Sequence, residues 1–457
     1  VQIEAEDLSV IVNLAGAVAG SENVSVGASV GVTFTTRNVY AGIGPGFEET
    51  AAVTGDSAKT VLDANKLTIE ALNDTTDVTL AVAGAKTTAD EDQDATLADF
   101  LTSDDEFAKL LSEGDKEAPG DGDPQADAGA GKPRTGWAVA GSAALNLGLA
   151  NTTTAEINTP SKVDLGMGLA DISAKNTSTR AGTTFTARGV ALASDDSTTV
   201  VTVAIGGAGQ KRGNKALAGS VAVAALTGKT QTLAEDADIT TTGTTSLTSD
   251  DTSLTVGIAG AAALNFSPST TNQALGVGIG IAVNTVSRDA LVKLDDQSSL
   301  ASLSFGASAT QDNSVYSFAI SAGLGRTAFA GSITTNFVSS GAKVEIGKRN
   351  GNQISIRADS ANAFAQERSD IFAAGGALAI SRNGKAAVGG AVVVNKITSA
   401  THAKFEAVDL RRMSPVAIVP AILTVRSSTA LPGNVEFSGI RAYSVAAGAN
   451  SQKFAAA

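Results

Sequence analysis

The feature that most constrains this chain is an internal repeat. A seven-residue segment rich in Gly, Ala, Ser and Val recurs six times in the 457 residues, at intervals of 113, 78, 60, 52 and 59 residues. The basic unit is therefore about 55–60 residues, which is too short to bury an apolar face alone and is typical of stacked repeat architectures. The six segments begin at Gly27, Ala140, Ala218, Gly278, Ala330 and Gly389.

The spacing predicts six repeats and the start of a seventh. The second repeat contains an acidic insert at 87–135, and the third contains an extra segment near 167–188. Because the last residues return to the phase of the first, we expect an excerpt of a longer array. The predicted units are 1–64, 65–157, 158–240, 241–298, 299–350, 351–410 and 411–457.

The repeated segments have the pattern of β-strands. They are short, rich in Val, Ile and Thr, and bounded by Gly, Asn and Ser, as strands are. In the segment 276–283, Gly and Ala alternate with Val and Ile, so that both faces of a strand would be apolar. We expect both faces to be buried, with the bulky face filling a narrow core and the small face allowing close approach of a neighbouring sheet or chain.

These patterns predict an all-β fold, an elongated β-solenoid of stacked repeats with one acidic, partly helical insert. Insertions in such an array fall at turns and leave the core undisturbed. The sequence leaves open whether the units are coils of a parallel β-helix or stacked long hairpins.

The last repeated segment, Gly389-Gly-Ala-Val-Val-Val-Asn395, is followed by Thr- and Ser-rich residues. This motif resembles the repeats of leukotoxin-type filamentous adhesins and other giant bacterial surface adhesins, and the likeness covers most of the chain outside 87–135 and about 158–190. It implies a secreted, rod-like, non-enzymatic protein that acts in attachment or as surface structure. It offers no catalytic residues to carry over.

The negative charge is concentrated in the insert. Residues 87–135 hold 14 acids and 4 bases, a net of −10, out of −13 for the whole chain. The other 408 residues carry 32 acids and 29 bases and are nearly neutral. The acidity argues against nucleic acid or an anionic membrane surface as a partner.

The insert has a helix signal and a weak metal signal. Ser103 to Glu106 form a capping box before apolar residues at helical spacing, which predicts a short helix ending near Gly114. Asp121 and Asp123 have the first spacing of a calcium-binding loop, but the glycine and terminal glutamate of an EF-hand are missing. A solvated loop is the plainer interpretation, with Ca²⁺ as the one possible cofactor. Trp137, directly after the insert, is expected to pack under it.

The composition excludes several kinds of site. The chain has no Cys and one His, which excludes disulfide scaffolds, thiolate sites and multi-histidine metal sites. Ser29 stands in a Gly-x-Ser-x-Gly pattern, but repeat-equivalent serines at Ser142, Ser220 and Ser332 explain it better than a nucleophile does. His402 lies on a Thr- and Ser-rich strand and is expected to be structural. No catalytic or cofactor-binding residue is therefore predicted.

The function expected from the sequence is a structural or adhesive segment of a large secreted bacterial surface protein, acting as a rigid stalk or attachment filament. The first alternative is a self-assembling extracellular filament or surface-layer subunit, and a less favoured one is a polysaccharide-active enzyme on a β-helix. Expected partners are neighbouring repeats, other copies, or a cell-surface or glycan receptor. No transmembrane segment is predicted, because the long uncharged stretch 252–287 is interrupted by Asn, Ser, Gly and Pro.

Overall fold

The chain forms one curled sheet of mostly parallel strands. The computed structural model describes residues 2–21, 23–43, 59–61, 66–87, 136–158, 162–165, 170–174, 187–211, 214–235, 237–267, 274–295, 298–347, 354–406, 408–412, 422–428, 440–450 and 455–456. No helix occurs in these ranges, so the all-β prediction is confirmed. The expected helix, Asp121 and Asp123 lie outside the described residues.

Within the described ranges, nineteen strands belong to the sheet. They are β1 (Gln2–Asp7), β2 (Val10–Ser21), β3 (Val24–Thr35), β4 (Asn38–Ile43), β5 (Lys59–Val61), β6 (Leu67–Thr87), β7 (Trp137–Asn158), β8 (Lys162–Leu165), β9 (Ala170–Ala174), β10 (Ala187–Gln210), β11 (Lys215–Glu235), β12 (Ala237–Asn265), β13 (Leu275–Asp295), β14 (Ser299–Gly347), β15 (Ile354–Glu406), β16 (Val408–Arg411), β17 (Ile422–Ser428), β18 (Ile440–Asn450) and β19 (Ala455–Ala456).

Fifteen of these strands fall into two series, each paired in parallel from repeat to repeat. We call the first series the outgoing arms: β1 with β2, β6, β10, β12, the first half of β14, the first half of β15, and β16 to β18. We call the second series the return arms: β3 with β4, β7, β11, β13, and the second halves of β14 and β15. The antiparallel pairs described here involve β8, β9 and β12, where the third repeat carries its extra segment.

The register agrees with the sequence repeat. Gly27 pairs with Ala140, which pairs with Ala218 and so on to Gly389, so the six aligned segments are neighbours residue for residue. Because hydrogen bonds run between repeats in parallel, the two arms of one repeat are not the strands of an antiparallel hairpin. The exact unit boundaries stay predictions.

The two arms of a repeat face each other across the interior. Within the first repeat, the side-chain amide of Asn13 on β2 donates to the carbonyl of Val32 on β3 at 2.7 Å, and Ser25 donates a hydrogen bond to the carbonyl of Ala19. The chain turns between the arms at one end, which we call the tip, and passes to the next repeat at the other end, the base. The sheet is therefore folded over on itself, with one row of alternate residues from each arm pointing inwards.

The interior changes character from base to tip. At the base, large apolar side chains fill it, among them Leu67, Ile69 and Phe305, all with no exposed surface. Towards the tip the buried apolar residues are almost all alanine, as in the cluster that includes Ala81, Ala144, Ala204 and others. Bulky residues hold the arms apart at the base, and small residues bring them together at the tip.

The expectation that the bulky Val and Ile face fills the core is wrong near the tip. On β13, Gly276, Gly278 and Gly280 point inwards and are buried, whereas Ile279 points outwards and is 45% exposed. A Cβ atom at Gly278 would lie 2.3 Å from the carbonyl oxygen of Ala322 on the facing arm, so only glycine permits this approach. The small face does admit a neighbouring sheet, and that neighbour is the chain's own outgoing series.

Candidate functional site

A row of polar residues crosses the interior midway between the aliphatic base and the alanine-rich tip. On the outgoing arms this row consists of acids and amides, which we call the acid row. It contains, in order of pairing, Asp7, Asn73, Asp196, Asp251, Gln311 and Glu367. The residues that face it on the return arms form the arginine row. It contains Arg37, Asn151, Gly228, Arg288, Ser340 and Ser399.

Arg288 is the centre of the best-developed part of this arrangement. Its Nη2 atom lies 2.6 Å from a carboxylate oxygen of Asp196 and 2.6 Å from one of Asp251. Its Nε donates to Asp251 as well, at 3.0 Å to the nearer oxygen. All three side chains are fully buried. One guanidinium therefore bridges two neighbouring repeats in the absence of surrounding solvent.

Neutral donors complete the coordination of the two carboxylates. Asp251 accepts from the Thr230 hydroxyl at 2.6 Å and from the Gln311 amide at 2.8 Å. Asp196 accepts from Asn73 at 2.9 Å and from Thr153 at 2.8 Å. Buried charge is tolerated only when it is paired and hydrogen-bonded in this way.

The cluster carries one more acid than base, and its protonation reflects this. Burial raises the pKa of Asp251 above its ordinary value, and the neighbouring charge of Asp196 raises it further, although Arg288 opposes both. Burial acts to lower the pKa of Arg288, but the charges of Asp251 and Asp196 outweigh it and hold that pKa above the usual value. A single guanidinium cannot neutralise two desolvated carboxylates, so the cluster favours retaining a proton.

Gly228 makes room for Arg288 on the arginine row. A Cβ atom at this position would lie 2.8 Å from Nη1 of Arg288 and 2.5 Å from the carbonyl oxygen of Asn151. The neighbouring repeat thus supplies a glycine where the guanidinium passes. Glycine is needed at this position because of Arg288 in the next repeat, and not because the strand turns here.

Arg37 forms a second ion pair at the first repeats. Its two terminal nitrogens donate to the two oxygens of Asp77, at 2.9 and 2.7 Å, and its Nε lies 3.7 Å from Asp7. The hydrogen bond to Asp77 raises the pKa of Arg37, against the opposing effect of burial. Bidentate arginine–carboxylate geometry of this kind is directionally specific.

The last described member of the acid row has hydroxyl partners. Glu367 is 3% exposed and accepts hydrogen bonds from Ser340, at 2.6 Å, and from Ser369. Ser340 stands in register beside Arg288, so the cation of one repeat becomes a hydroxyl donor in the next. The partner of the acid row therefore changes from a guanidinium to a hydroxyl group between these repeats.

An asparagine row runs parallel to the arginine row, closer to the tip. The side-chain amide of Asn284 donates to Asn336 at 2.8 Å, and that of Asn336 donates to Asn395 at 2.7 Å. Amide ladders of this type satisfy buried side chains across parallel, in-register strands. They require the same residue at the same register position in successive repeats, which the sequence supplies.

The residues singled out from the sequence do not come together. Ser29, Ser142, Ser220 and Ser332 occupy one buried inward row, as repeat-equivalent positions should. His402 lies in the sixth repeat with its Nε2 atom 2.9 Å from Glu345 and its side chain 41% exposed. Trp137 is 39% exposed, and the ammonium of Lys215 lies 4.2 Å from its ring centroid. The loop expected to cover Trp137 lies outside the described residues.

The acid row is the feature that the sequence analysis missed. It could have been found by extending the alignment from the return arms to the outgoing arms, where Asn73, Asp196, Asp251, Gln311 and Glu367 fall at one repeat position. Its arginine partners carry no comparable signal, because Arg288 has glycine and serine as its repeat neighbours.

The arrangement holds neighbouring repeats in register. The ion-paired and hydrogen-bonded groups of Arg288, Asp196 and Asp251 are fully buried, so a substrate has no route to them. Among the described residues no group of three or more His, Cys, Asp or Glu is placed to hold a metal ion. No helix in the described ranges has the length and apolarity to cross a membrane.

Comparison with known proteins identifies no relative. No protein-family model, no curated protein and no solved structure matches the chain. The fold and its buried rows therefore define the class: an all-β protein of parallel repeats whose polar interior is specified repeat by repeat.

Proposed function

We propose that the chain is a rigid structural segment of a secreted bacterial surface protein, in which the curled sheet is a flattened β-solenoid. The outgoing arm, the tip, the return arm and the short segment at the base form one coil per repeat. The observation that carries this proposal is the continuous register: each described repeat hydrogen-bonds to the next along both arms. Adhesive or stalk roles require such mechanical continuity, and the buried charged rows add resistance to slippage between repeats.

The geometry sets the shape of this segment. An arm of about 21 residues spans roughly 70 Å, while each repeat adds only about 4.8 Å along the stacking direction. Six repeats and the start of a seventh therefore form a slab with a stacking dimension of roughly 30–35 Å. A long stalk would need many such repeats, and the broad cross-section would make it stiff.

Negative-stain electron microscopy of the 457-residue chain tests the proposal. The expected particle is a slab with a long edge of about 70 Å and unequal shorter edges. A compact protein of this length would instead be about 60 Å across in every direction, from the usual scaling of size with chain length. Particles that are isotropic in all views would contradict the solenoid and with it the structural role.

A second candidate is a self-assembling filament subunit, in which copies of the chain would continue the parallel pairing that joins its own repeats. Among the described pairings, β1 to β4 are hydrogen-bonded to the following repeat only, and β16 to β18 to the preceding repeat only. Unpaired strand edges are templates for further pairing. Filaments that grow along the stacking direction would support this candidate. Their absence at high protein concentration would count against it.

A further inference from the structure

The outer surface of the return arms near the tip is apolar over a continuous area. Four outward rows cross the six return arms there, and we call this surface the return face. Its rows begin at Val26, Ala28, Val30 and Val32 of β3 and end at Val388, Gly390, Val392 and Val394 of β15. Thr335 is the one residue in these rows that is neither aliphatic, aromatic nor glycine, and none is charged.

The return face has relief as well as apolarity. The row that starts at Ala28 continues as Gly141, Gly219, Ile279, Gly331 and Gly390, and it forms a groove broken only at Ile279. No atom lies within 4 Å of where a Cβ would stand at Gly141, Gly219, Gly331 or Gly390, so the groove is open. On either side stand ridges of Val, Leu, Ile and Phe.

Exposure of this kind is unusual for a surface that faces water. Ile279 is 45% exposed and Ile333 is 39% exposed, although both lie on strands that have a neighbour on each side. Scattered apolar residues on a surface need no explanation, but a continuous patch of this size marks an interaction site. The base half of the same arms follows the ordinary rule, with aliphatic residues inside and Lys229, Asp289 and Lys343 outside.

The area fits a stable protein interface. Four rows at about 6.6 Å and six strands at about 4.8 Å cover roughly 750 Å². A standard specific interface buries about 800 Å² per partner. Two copies laid face to face with their stacks parallel would place the ridge of one over the groove of the other, as sheets do when they pack at about 10 Å.

A second copy suits this face better than a lipid surface. A lipid surface is fluid and has no fixed relief, whereas a second copy presents the same ridges, the same groove and the same area as this face. A face-to-face pair covers the apolar rows of both copies and leaves the charged base half of the return arms, with Lys229, Asp289 and Lys343, in water. The opposite side, on the outgoing arms, is also apolar, but its row that starts at Gly16 is interrupted three times, at Val82, Ile205 and Ile320.

We infer that the return face binds the return face of a second copy of this chain, so that two slabs associate side by side. This association joins the broad sides of two slabs, so it is independent of any growth along the stacking direction. It also goes beyond the proposed structural role, and the two can fail separately. A slab that stays monomeric would still be a structural segment, and a protein with isotropic particles could still dimerise.

The test is sedimentation velocity of the full chain over a wide concentration range, for the wild type and for Val221→Lys/Ile281→Glu. These positions are half-buried, outward neighbours in register at the centre of the return face. The new lysine and glutamate have opposite charges and are neighbours on adjacent strands. The net charge of the chain is therefore unchanged, and the two side chains do not repel each other. We expect the wild type to dimerise with rising concentration and the variant to do so at least about tenfold more weakly, because charge would be buried.

A matched control places the same charge pair outside the return face. Gln231→Lys/Leu291→Glu alters neighbours in register on the same two strands, β11 and β13, but at the base. It should dimerise like the wild type. The milder variant Val221→Thr/Ile281→Thr keeps β-forming side chains and should weaken dimerisation in the same direction if the charged variant fails to fold.

Three outcomes would overturn the inference. The wild type could remain monomeric at all concentrations. The return-face variants could dimerise as well as the wild type, which would place the contact elsewhere. Finally, the wild type could stay monomeric in buffer and bind liposomes in flotation assays through the same residues, which would make lipid the occupant.

Discussion

The buried position of Arg288 predicts a large effect of its removal. In Arg288→Met, the carboxylates of Asp196 and Asp251 would remain in the interior without their cation, although the methionine would fill much of the volume. Breaking a buried ion pair by removing one partner costs about 3–5 kcal/mol, because an uncompensated charge is left in the interior. The cost should fall in acid, as the carboxylates take up protons.

Denaturant titration is the suitable assay for this prediction. At about 2.1 cal/mol/K per residue, unfolding of 457 residues as one unit has an entropy of about 1 kcal/mol/K, so a loss of 3–5 kcal/mol would shift the melting temperature by only about 3–5 °C. The urea midpoint and slope, followed by circular dichroism, report the free energy directly.

An ion pair of the same length that is partly open to solvent provides the control. Nη2 of Arg368 lies 2.6 Å from Asp370, the same distance as in the buried cluster, but the arginine side chain is 27% exposed. Arg368→Met should cost less than about 1 kcal/mol, as surface pairs do. A triple variant, Arg288→Met/Asp196→Asn/Asp251→Asn, should recover most of the stability lost on removing Arg288, since no charge is then left buried.

Equal costs for Arg288→Met and Arg368→Met would refute the reasoning, because burial would then have no effect on the strength of the pair. A triple variant no more stable than Arg288→Met would show that packing, and not unpaired charge, causes the loss.

Three further predictions concern the same interior. The raised pKa of Asp251 means that the folded state binds its proton more tightly than the unfolded state, so this contribution is present below about pH 4 and is lost as pH rises through the raised pKa. Asp251→Asn should therefore gain in urea midpoint relative to the wild type as pH rises from about 4 to 8, and a difference independent of pH would contradict this. Gly228→Ala should destabilise by about 1–3 kcal/mol through overpacking against Arg288, whereas Gly219→Ala, which has open space at its Cβ position, should be near neutral in the same titration. Asn336→Leu should cost about 1–3 kcal/mol because it leaves the amides of Asn284 and Asn395 without their partner, and an unchanged urea midpoint would show that the asparagine row does not contribute.

Much of the fold could be predicted from the sequence because the repeat is local information. The six segments from Gly27 to Gly389 align by eye, and parallel stacking turns that alignment directly into strand register. The buried serine row follows for the same reason, since Ser29, Ser142 and Ser220 are repeat-equivalent. The Arg288 cluster could not be predicted in this way, because its partners come from a different arm and the repeat neighbours of Arg288 are Gly228 and Ser340.

The sequence by itself determined that this chain is all-β and built in units of about 55–60 residues, because period-2 patterns and a fixed repeat follow from the order of residues alone. The tertiary structure decided which face of each strand lies inside. Near the tip both faces of β13 are apolar, so hydrophobicity could not choose between them. Close approach of the facing arm chose glycine and alanine for the interior, because a Cβ at Gly278 has no room beside Ala322. The valine and isoleucine face was thereby left outside, where it forms the return face.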